Sequence, residues 1–199
     1  GILEKHTDVI RLADAYSQLG SVEATLENYH KSIEHNRKAL KIYQNNNDKV
    51  FAAQALNDIG LCYFYLKDYR PALEYLKNSI VLSRAMDQAE LQASSLTNIG
   101  KTYGALQQFD SAANYLRDGL TLAEKAKRKV KIIEGLNELG SLYLTIERPR
   151  VAIGFFSRAI PIADSIDFKE GLRTAYLKRS ASHALLNQYV EALEDHRQY

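Results

Sequence analysis

The sequence predicts an all-α fold, a right-handed superhelical solenoid of antiparallel helix pairs, and three observations support it. A pattern of residues returns every 40 positions, and apolar residues recur at helical spacing inside each copy. Turn-forming residues are scarce, with 3 Pro and 10 Gly in 199 residues. Because 46% of the residues are apolar and 25% are charged, the chain can bury a core. We therefore expect one helical domain over residues 1–199.

The repeat is clearest in a five-residue segment that ends in glycine. This segment runs from Leu56 to Gly60 and returns, 40 residues apart, at Gly100 and Gly140. The missing Cβ at these glycines is predicted to let the second helix of each unit approach the first closely. The predicted units span about 10–49, 50–89, 90–129 and 130–169, with a truncated last unit at about 170–199.

Each unit is predicted to contain two helices separated by a short polar break. We expect the first helix from about 7 to about 19 and later helices to start near positions 24, 50, 69, 90, 109, 130, 149, 170 and 189. Asp87 with Glu90, and Asp167 with Glu170, have the spacing of a capping box. Asp87 and Asp167 are therefore predicted to be N-cap residues.

One unit carries a full set of residues at characteristic spacings: Leu56, Ile59, Gly60, Tyr63, Tyr69, Ala72, Leu76 and Ser79. This arrangement resembles the tetratricopeptide repeat. The usual repeat of that family has about 34 residues, whereas the unit here has 40. The longer variety resembles the repeats of bacterial sensory and regulatory proteins and of some cytoskeletal adaptors. The resemblance implies a scaffold for binding proteins.

Stacked helix pairs should coil so that the first helix of each unit lines a concave groove. Asn57, Asn98 and Asn137 are the leading candidates for ligand contact on this inner stripe. An amide side chain both donates to a peptide carbonyl and accepts from a peptide N–H, so it suits capture of a peptide backbone. The alternative is that these asparagines are solvated or cap the chain locally.

Two lysines of the inner stripe suggest a site for an acidic group. Lys101 and Lys178 resemble the lysines with which chaperone-binding relatives clamp a terminal carboxylate, but Asp58, Glu134 and Glu138 on the same stripe oppose this interpretation. Three further candidates complete the predicted groove: Gln54, Phe64 and Tyr65. The two aromatic residues either form an apolar floor for a partner side chain or pack against the next unit.

Several functional classes lack support in the sequence. The formal charge of +2 gives no global attraction to nucleic acid, and the basic run at 125–131 lacks interleaved aromatic residues. The five His show no metal-ligand spacing, and Cys62 is expected to be a buried, inert thiol. Motifs for phosphate binding or hydrolysis are absent. We expect no enzyme activity, no cofactor and no metal.

Location and context follow from the same residues. No apolar run is long enough to span a membrane, and no export signal is evident, so we expect a cytoplasmic protein. Because the chain begins at Gly1 and stops at Tyr199 within a helical pattern, we expect a fragment. The predicted function is a regulatory or sensory segment of a larger bacterial signalling protein, or alternatively a free-standing peptide receptor or adaptor. A monomer, or a weak dimer through open solenoid ends, is expected.

Overall fold

The computed structural model describes residues 2–198. Over this part of the chain it contains ten α-helices and no strand, which confirms the all-α fold class. The helices are α1 Ile2–Thr25, α2 Tyr29–Asn45, α3 Lys49–Tyr65, α4 Tyr69–Ala85, α5 Ala89–Ala105, α6 Phe109–Lys125, α7 Lys129–Thr145, α8 Pro149–Asp164, α9 Lys169–Leu185 and α10 Tyr189–His196.

The first helix is longer than its sequence pattern predicts. The expected end near 19 and the expected second start near 24 are both wrong, because α1 continues to Thr25 and α2 begins at Tyr29. Gly20 lies inside α1, where its lack of a side chain accommodates the amide group of Asn36 from α2. The glycine therefore serves helix packing and does not end the helix.

Every connection between helices contains one residue with a left-handed backbone. These residues recur every 20 positions: Glu27, Asn47, Lys67, Asp87, Gln107, Lys127, Glu147, Asp167 and Asn187. At Lys67, with φ of 61°, the backbone N–H donates to the carbonyl of Phe64 at 2.9 Å, and the next N–H, of Asp68, donates to that of Tyr63 at 2.9 Å. This is a Schellman motif, which satisfies the last carbonyls of α3.

The predicted capping boxes are wrong. Asp87 and Asp167 have φ of 51° and 52°, so they end the preceding helix and do not cap the next one. The residue before α9 is Phe168, whose side chain makes no capping hydrogen bond. Asp48 does cap α3, because its carboxylate accepts a hydrogen bond from the backbone N–H of Phe51 at 3.3 Å.

The chain divides into two compact units, Gly1–Thr102 and Tyr103–Tyr199. Unit 1 contains α1 to α4 and most of α5, and unit 2 contains α6 to α10. Helices α1 to α4 of unit 1, and α6 to α10 of unit 2, each pack against the next helix along the chain. The unit 1 core includes Ile33, Tyr43, Ile59 and Cys62. The unit 2 core includes Leu116, Leu136, Leu139 and Phe156.

The close approach predicted at the repeat glycines is confirmed within each unit. A Cβ added to Gly60 would lie 2.7 Å from Cγ of Leu76, and one added to Gly140 would lie 2.5 Å from Cε1 of Phe156. At such distances a Cβ would force the facing side chain or its helix to shift, so glycine is the residue that fits these two helix crossings without rearrangement. The first and second helices of a repeat thus pack at a separation that the sequence fixes.

Candidate functional site

One face of α3 combines polar and apolar side chains that are accessible to a ligand. Gln54, Asp58, Leu61 and Tyr65 follow each other at steps of four, three and four residues, so they share this face. Gln54 and Tyr65 are exposed, while Asp58 and Leu61 are half-buried. We call these four residues the α3 stripe. It contains two of the predicted groove residues, Gln54 and Tyr65.

Asn57 is turned away from this stripe, toward α5. Its side chain is 5% exposed, and its Oδ1 accepts hydrogen bonds from Ser95 Oγ at 3.1 Å and from Asn98 Nδ2 at 3.2 Å. Its Nδ2 donates to Asp58 Oδ1 at 3.3 Å. The structure therefore brings Asn57 and Asn98 together and uses their amides to link α3 with α5. Asn98 is half-buried and is the more accessible of the two.

Asn137 has the corresponding role in unit 2. It is 6% exposed, and its Nδ2 donates to the backbone carbonyl of Gly171 at 3.1 Å, which ties α7 to α9. Oδ1 of Asn137 is buried without a hydrogen-bond partner among the described residues. The backbone carbonyl of Asn137 accepts from Ser141 Oγ at 2.6 Å. Asn137 therefore holds two first helices at a fixed distance.

The two candidate lysines have different surroundings. Lys178 donates to Ser141 Oγ at 2.6 Å, which places its half-buried side chain between α9 and α7. Lys101 lies over two aromatic rings, with its Nζ 5.4 Å from the ring centroid of Phe64 and 6.0 Å from that of Tyr65. Such cation–π geometry stabilises the ammonium group beside the rings.

The aromatic candidates form a small cluster at the end of α3. Tyr65 stacks on Tyr29 of α2 with ring centroids 5.1 Å apart, and Phe64 meets Tyr65 edge-on at 5.4 Å. The ring centroids of Phe64 and Tyr69 lie 6.1 Å apart. Phe64 is half-buried, whereas the side chain of Tyr65 is 47% exposed. Phe64 thus packs within unit 1, and Tyr65 is the more exposed of the two rings.

A cavity of about 370 Å³ lies beside the α3 stripe, between α1, α2 and α3. It is lined by Gly20, Ser21, Ala24, Thr25, Tyr29, Ser32, Asn36, Gln54, Asp58, Leu61, Cys62 and Tyr65. We call it the unit 1 cavity. Nothing in the repeat pattern predicts it, although the small residues Gly20, Ser21 and Ala24 on α1 are a signal that could have pointed to it.

Polar groups at the inner end of the unit 1 cavity come from α2 and α3. Cys62 donates from Sγ to Ser32 Oγ at 3.2 Å, and Asn36 Nδ2 donates to the Ser32 backbone carbonyl at 3.1 Å. Burial raises the pKa of the Cys62 thiol, and the negative charge of Asp58 raises it further. The raised pKa favours the protonated thiol near neutral pH. The burial that the sequence predicted for Cys62 is confirmed, and its lack of reactivity stays a prediction.

A second cavity, of about 390 Å³, lies in unit 2 away from the predicted groove residues. Its lining includes Arg117, Arg148, Asp110, Asn114 and Tyr143. Arg117 donates a hydrogen bond to the hydroxyl of Tyr143 and lies over its ring. The sequence analysis did not identify this cavity, since its residues come from second helices and connections as well as from α7.

The basic run at the start of α7 interacts with neighbouring side chains. Lys131 forms an ion pair with Glu134 at 2.9 Å, and Lys129 donates to Ser165 Oγ at 3.2 Å.

The described residues include no group of three or more His, Cys, Asp or Glu placed to hold a metal ion. Among the described helices, none has the length and apolar character needed to cross a membrane.

Comparison with protein-family models identifies one family. Two models, both described as tetratricopeptide repeat, match residues 11–85 and 92–126, which together make up more than half of the chain. A search of curated protein sequences gave no significant match.

Solved structures with the same fold share little sequence with the chain. A Rap protein complexed with competence and sporulation factor has a TM-score of 0.81 at 16% identity, covering 90% of this chain and 50% of that one. The Rap conjugation gene regulator of plasmid pLS20, in complex with a Phr peptide, has a TM-score of 0.80 at 20% identity. The match covers 92% of this chain and 51% of that one. A kinesin light chain repeat protein from Podospora anserina has a TM-score of 0.70 at 14% identity. The match covers 96% of this chain and 93% of that one. The chain thus spans about half the length of the two Rap proteins.

Proposed function

Because the chain belongs to the tetratricopeptide repeat family, we propose that it is a non-catalytic module that binds a peptide or protein segment on its first helices. The observation that carries this proposal is the α3 stripe, where exposed Gln54 and Tyr65 lie beside a ligand-sized cavity. Mixed polar and aromatic surfaces next to a cavity are typical of ligand sites. The two Rap neighbours, one complexed with competence and sporulation factor and the other with a Phr peptide, support the same mode of action.

Each candidate residue has a proposed role. Gln54 and Asn98 offer amide groups to a peptide backbone, and the exposed part of the Tyr65 ring, which packs against Phe64, offers apolar contact. Asn57 and Asn137 act indirectly, because their hydrogen bonds set the spacing between neighbouring first helices. Lys101 and Lys178 are proposed to contact acidic or carbonyl groups of the ligand.

We propose that the module is the regulatory or sensory segment of a larger bacterial signalling protein, and that it acts in the cytoplasm. The likeness to about half of each Rap protein favours this context. The alternative is a free-standing peptide receptor or adaptor, favoured by the coverage of 93% of the kinesin light chain repeat protein. The natural full-length sequence distinguishes them, because an output domain following the repeats is expected only for the first.

The proposed solution state is a monomer or a weak dimer. Exposed apolar residues occur on α1 and α10, the terminal helices of the described chain: Leu12, Leu19 and Val22, and Tyr189, Val190 and Leu193. Apolar surface of this kind favours reversible self-association. Sedimentation velocity over a concentration series should show a monomer that dimerises weakly, and Val22→Lys should abolish the dimer.

The binding proposal is tested with peptides selected from a random display library on the immobilised protein. Calorimetry with the tightest peptide should give a saturable signal that Tyr65→Ala weakens at least tenfold, a loss of about 1.4 kcal/mol. Tyr189→Ala is the matched control, since Tyr189 is another exposed tyrosine but lies on a second helix. Failure to select any peptide, or equal affinities for both variants, would contradict the proposal.

A further inference from the structure

We infer that the cavity around Arg117 in unit 2 is a binding site for a small organic carboxylate with an apolar body. We call it the unit 2 cavity. One face of α6 forms it together with the end of α7 and the connection to α8. It shares no lining residue with the α3 stripe or with the predicted groove. The inference therefore goes beyond the proposed peptide-binding function and adds a second ligand.

Tyr143 holds the two arginines of the unit 2 cavity in place. It is buried, and its hydroxyl accepts a hydrogen bond from Nη2 of Arg117, whose guanidinium lies over the ring at 6.0 Å from the centroid. The backbone carbonyl of Tyr143 accepts from the backbone N–H of Arg148 at 2.8 Å. The tyrosine hydroxyl is neutral and engages one of the five guanidinium N–H groups. The contact thus positions Arg117 without neutralising its charge.

The charge of the lining attracts an anion. The lining holds two arginines and one acid, Asp110, which gives a net charge of +1. Within the described part of the chain, neither arginine forms an ion pair. Asp110 lies in the first turn of α6, where the positive end of the helix dipole offsets part of its charge. One carboxylate balances this lining, and a guanidinium group can hold it by two parallel hydrogen bonds.

The corresponding face of α2, 80 residues earlier in the repeat, lacks this charge. Arg37 there donates to the hydroxyl of Tyr63 at 2.7 Å, the same contact as in the unit 2 cavity. The positions that correspond to Asn114 and Arg148 are held by two acids, Glu34 and Asp68. The arginine–tyrosine contact therefore belongs to the packing of the repeat, whereas the net positive lining is a feature of unit 2.

The rest of the unit 2 cavity favours an apolar body on the ligand. Phe109, Ala113 and Ile146 line it, and all three are half-buried and pack against the unit 2 core. The volume of about 390 Å³ falls within the range of about 300–1,000 Å³ found for small-molecule pockets. A carboxylate group alone would leave most of this space and its apolar wall in contact with water.

The test is an NMR titration of the full chain with hydrocinnamate at constant ionic strength, followed at the side-chain amide of Asn114, which lines the cavity. We expect a saturable shift. Hydrocinnamamide lacks the charge and acetate lacks the apolar body, so each should bind at least about tenfold more weakly. Equal affinities for hydrocinnamate and its amide, or no shift with hydrocinnamate, would overturn the inference. Tighter binding of phenyl phosphate would overturn the match of the lining to a single negative charge.

Substitutions of the arginines locate the effect. Arg148→Gln should weaken hydrocinnamate binding at least about tenfold, and its exposed side chain makes a folding defect easy to avoid. Arg117→Gln should weaken binding as well. Arg37→Gln is the matched control, because it loses the same contact with a tyrosine hydroxyl in unit 1 and should leave the affinity unchanged. Circular dichroism and melting curves verify that each variant folds. An affinity unaffected by Arg148→Gln would contradict the inference.

The acid in the lining gives a prediction of opposite sign. Asp110→Asn removes the negative charge that opposes the ligand, so hydrocinnamate should bind this variant more tightly than the parent protein. Weaker binding to Asp110→Asn would show that the site does not select an anion through its charge, and the inference would be wrong.

Discussion

A substitution at the crossing of α7 and α8 tests the packing of the repeat most sharply. Gly140 faces Phe156, whose side chain is fully buried. In Gly140→Ala the new methyl group would lie 2.5, 2.6 and 2.9 Å from three ring carbons of Phe156. Because the ring is enclosed by the unit 2 core, it cannot turn away freely, and the two helices must move apart.

The size of the effect follows from two opposing contributions. Replacing Gly by Ala inside a helix stabilises it by about 1 kcal/mol, while overpacking a core costs about 1–3 kcal/mol. Gly154, in α8, provides the matched control, because a Cβ added there meets nothing within 4 Å. Both substitutions gain the same helix propensity, so their difference isolates the overpacking, and Gly140→Ala should be less stable than Gly154→Ala by about 1–3 kcal/mol.

The assay is thermal unfolding of both variants and the parent protein, followed by circular dichroism. For a protein of this size, 1 kcal/mol corresponds to about 2–4 °C in Tm, so we expect Gly140→Ala to melt at least about 2 °C below Gly154→Ala. Gly154→Ala should melt above the parent. If the two variants melt at the same raised temperature, the close approach at Gly140 does not exist in solution.

Three further predictions concern turns, an ion pair and the thiol. Lys67→Gly should raise the free energy of unfolding by about 1 kcal/mol in urea titrations, because Lys67 has a left-handed backbone that glycine adopts without strain. The control Lys77→Gly, inside α4, should lower the free energy of unfolding by about 1 kcal/mol. If both substitutions changed the stability in the same direction, the turn geometry at Lys67 would be wrong. Arg179→Met should destabilise the packing of α10 against α9 by about 3 kcal/mol, because it removes the guanidinium nitrogen that lies 2.5 Å from Oδ1 of buried Asp195. Hydrogen exchange should then show a loss of protection in α10. Unchanged protection would show that the ion pair contributes little. At pH 8, Cys62 should react with iodoacetamide at least about a hundredfold more slowly in the native protein than in urea. The buried thiol reacts only after local unfolding exposes it, and its raised pKa leaves little thiolate. Equal reaction rates would contradict its burial.

The repeat and its helix pairs could be predicted from the sequence because packing repeats with it. Glycines such as Gly60 and Gly140 mark positions where helices cross closely, and these marks are visible in one sequence. The ends of the helices were harder to predict. The left-handed turn residues include Lys67, Asp87 and Gln107, which are not the Gly or Asn that usually signal a helix end. Acidic residues in these turns were therefore mistaken for N-caps.

The candidate site was predicted only in part, for a geometric reason. Neighbouring residues on a helix differ by about 100° in direction, so Asn57 faces α5 while Asp58 remains on the accessible stripe. A sequence pattern locates the accessible stripe on α3. It does not show which of two neighbouring residues, Asn57 or Asp58, points toward solvent and which points toward α5. The unit 1 cavity depends on the separation of α1 from α3, which is set by the packing of three helices. The small residues of α1 hint at the cavity but do not by themselves predict its position or size.

NMR mapping of a library-selected peptide on the isotope-labelled chain tests the central claim, peptide binding by the first helices, most directly. The predicted result is a set of saturable amide shifts centred on the α3 stripe, at Gln54, Asp58, Leu61 and Tyr65, with smaller shifts on α5. Shifts confined to second helices such as α4 and α8, or to the cavity around Arg117, would contradict the account.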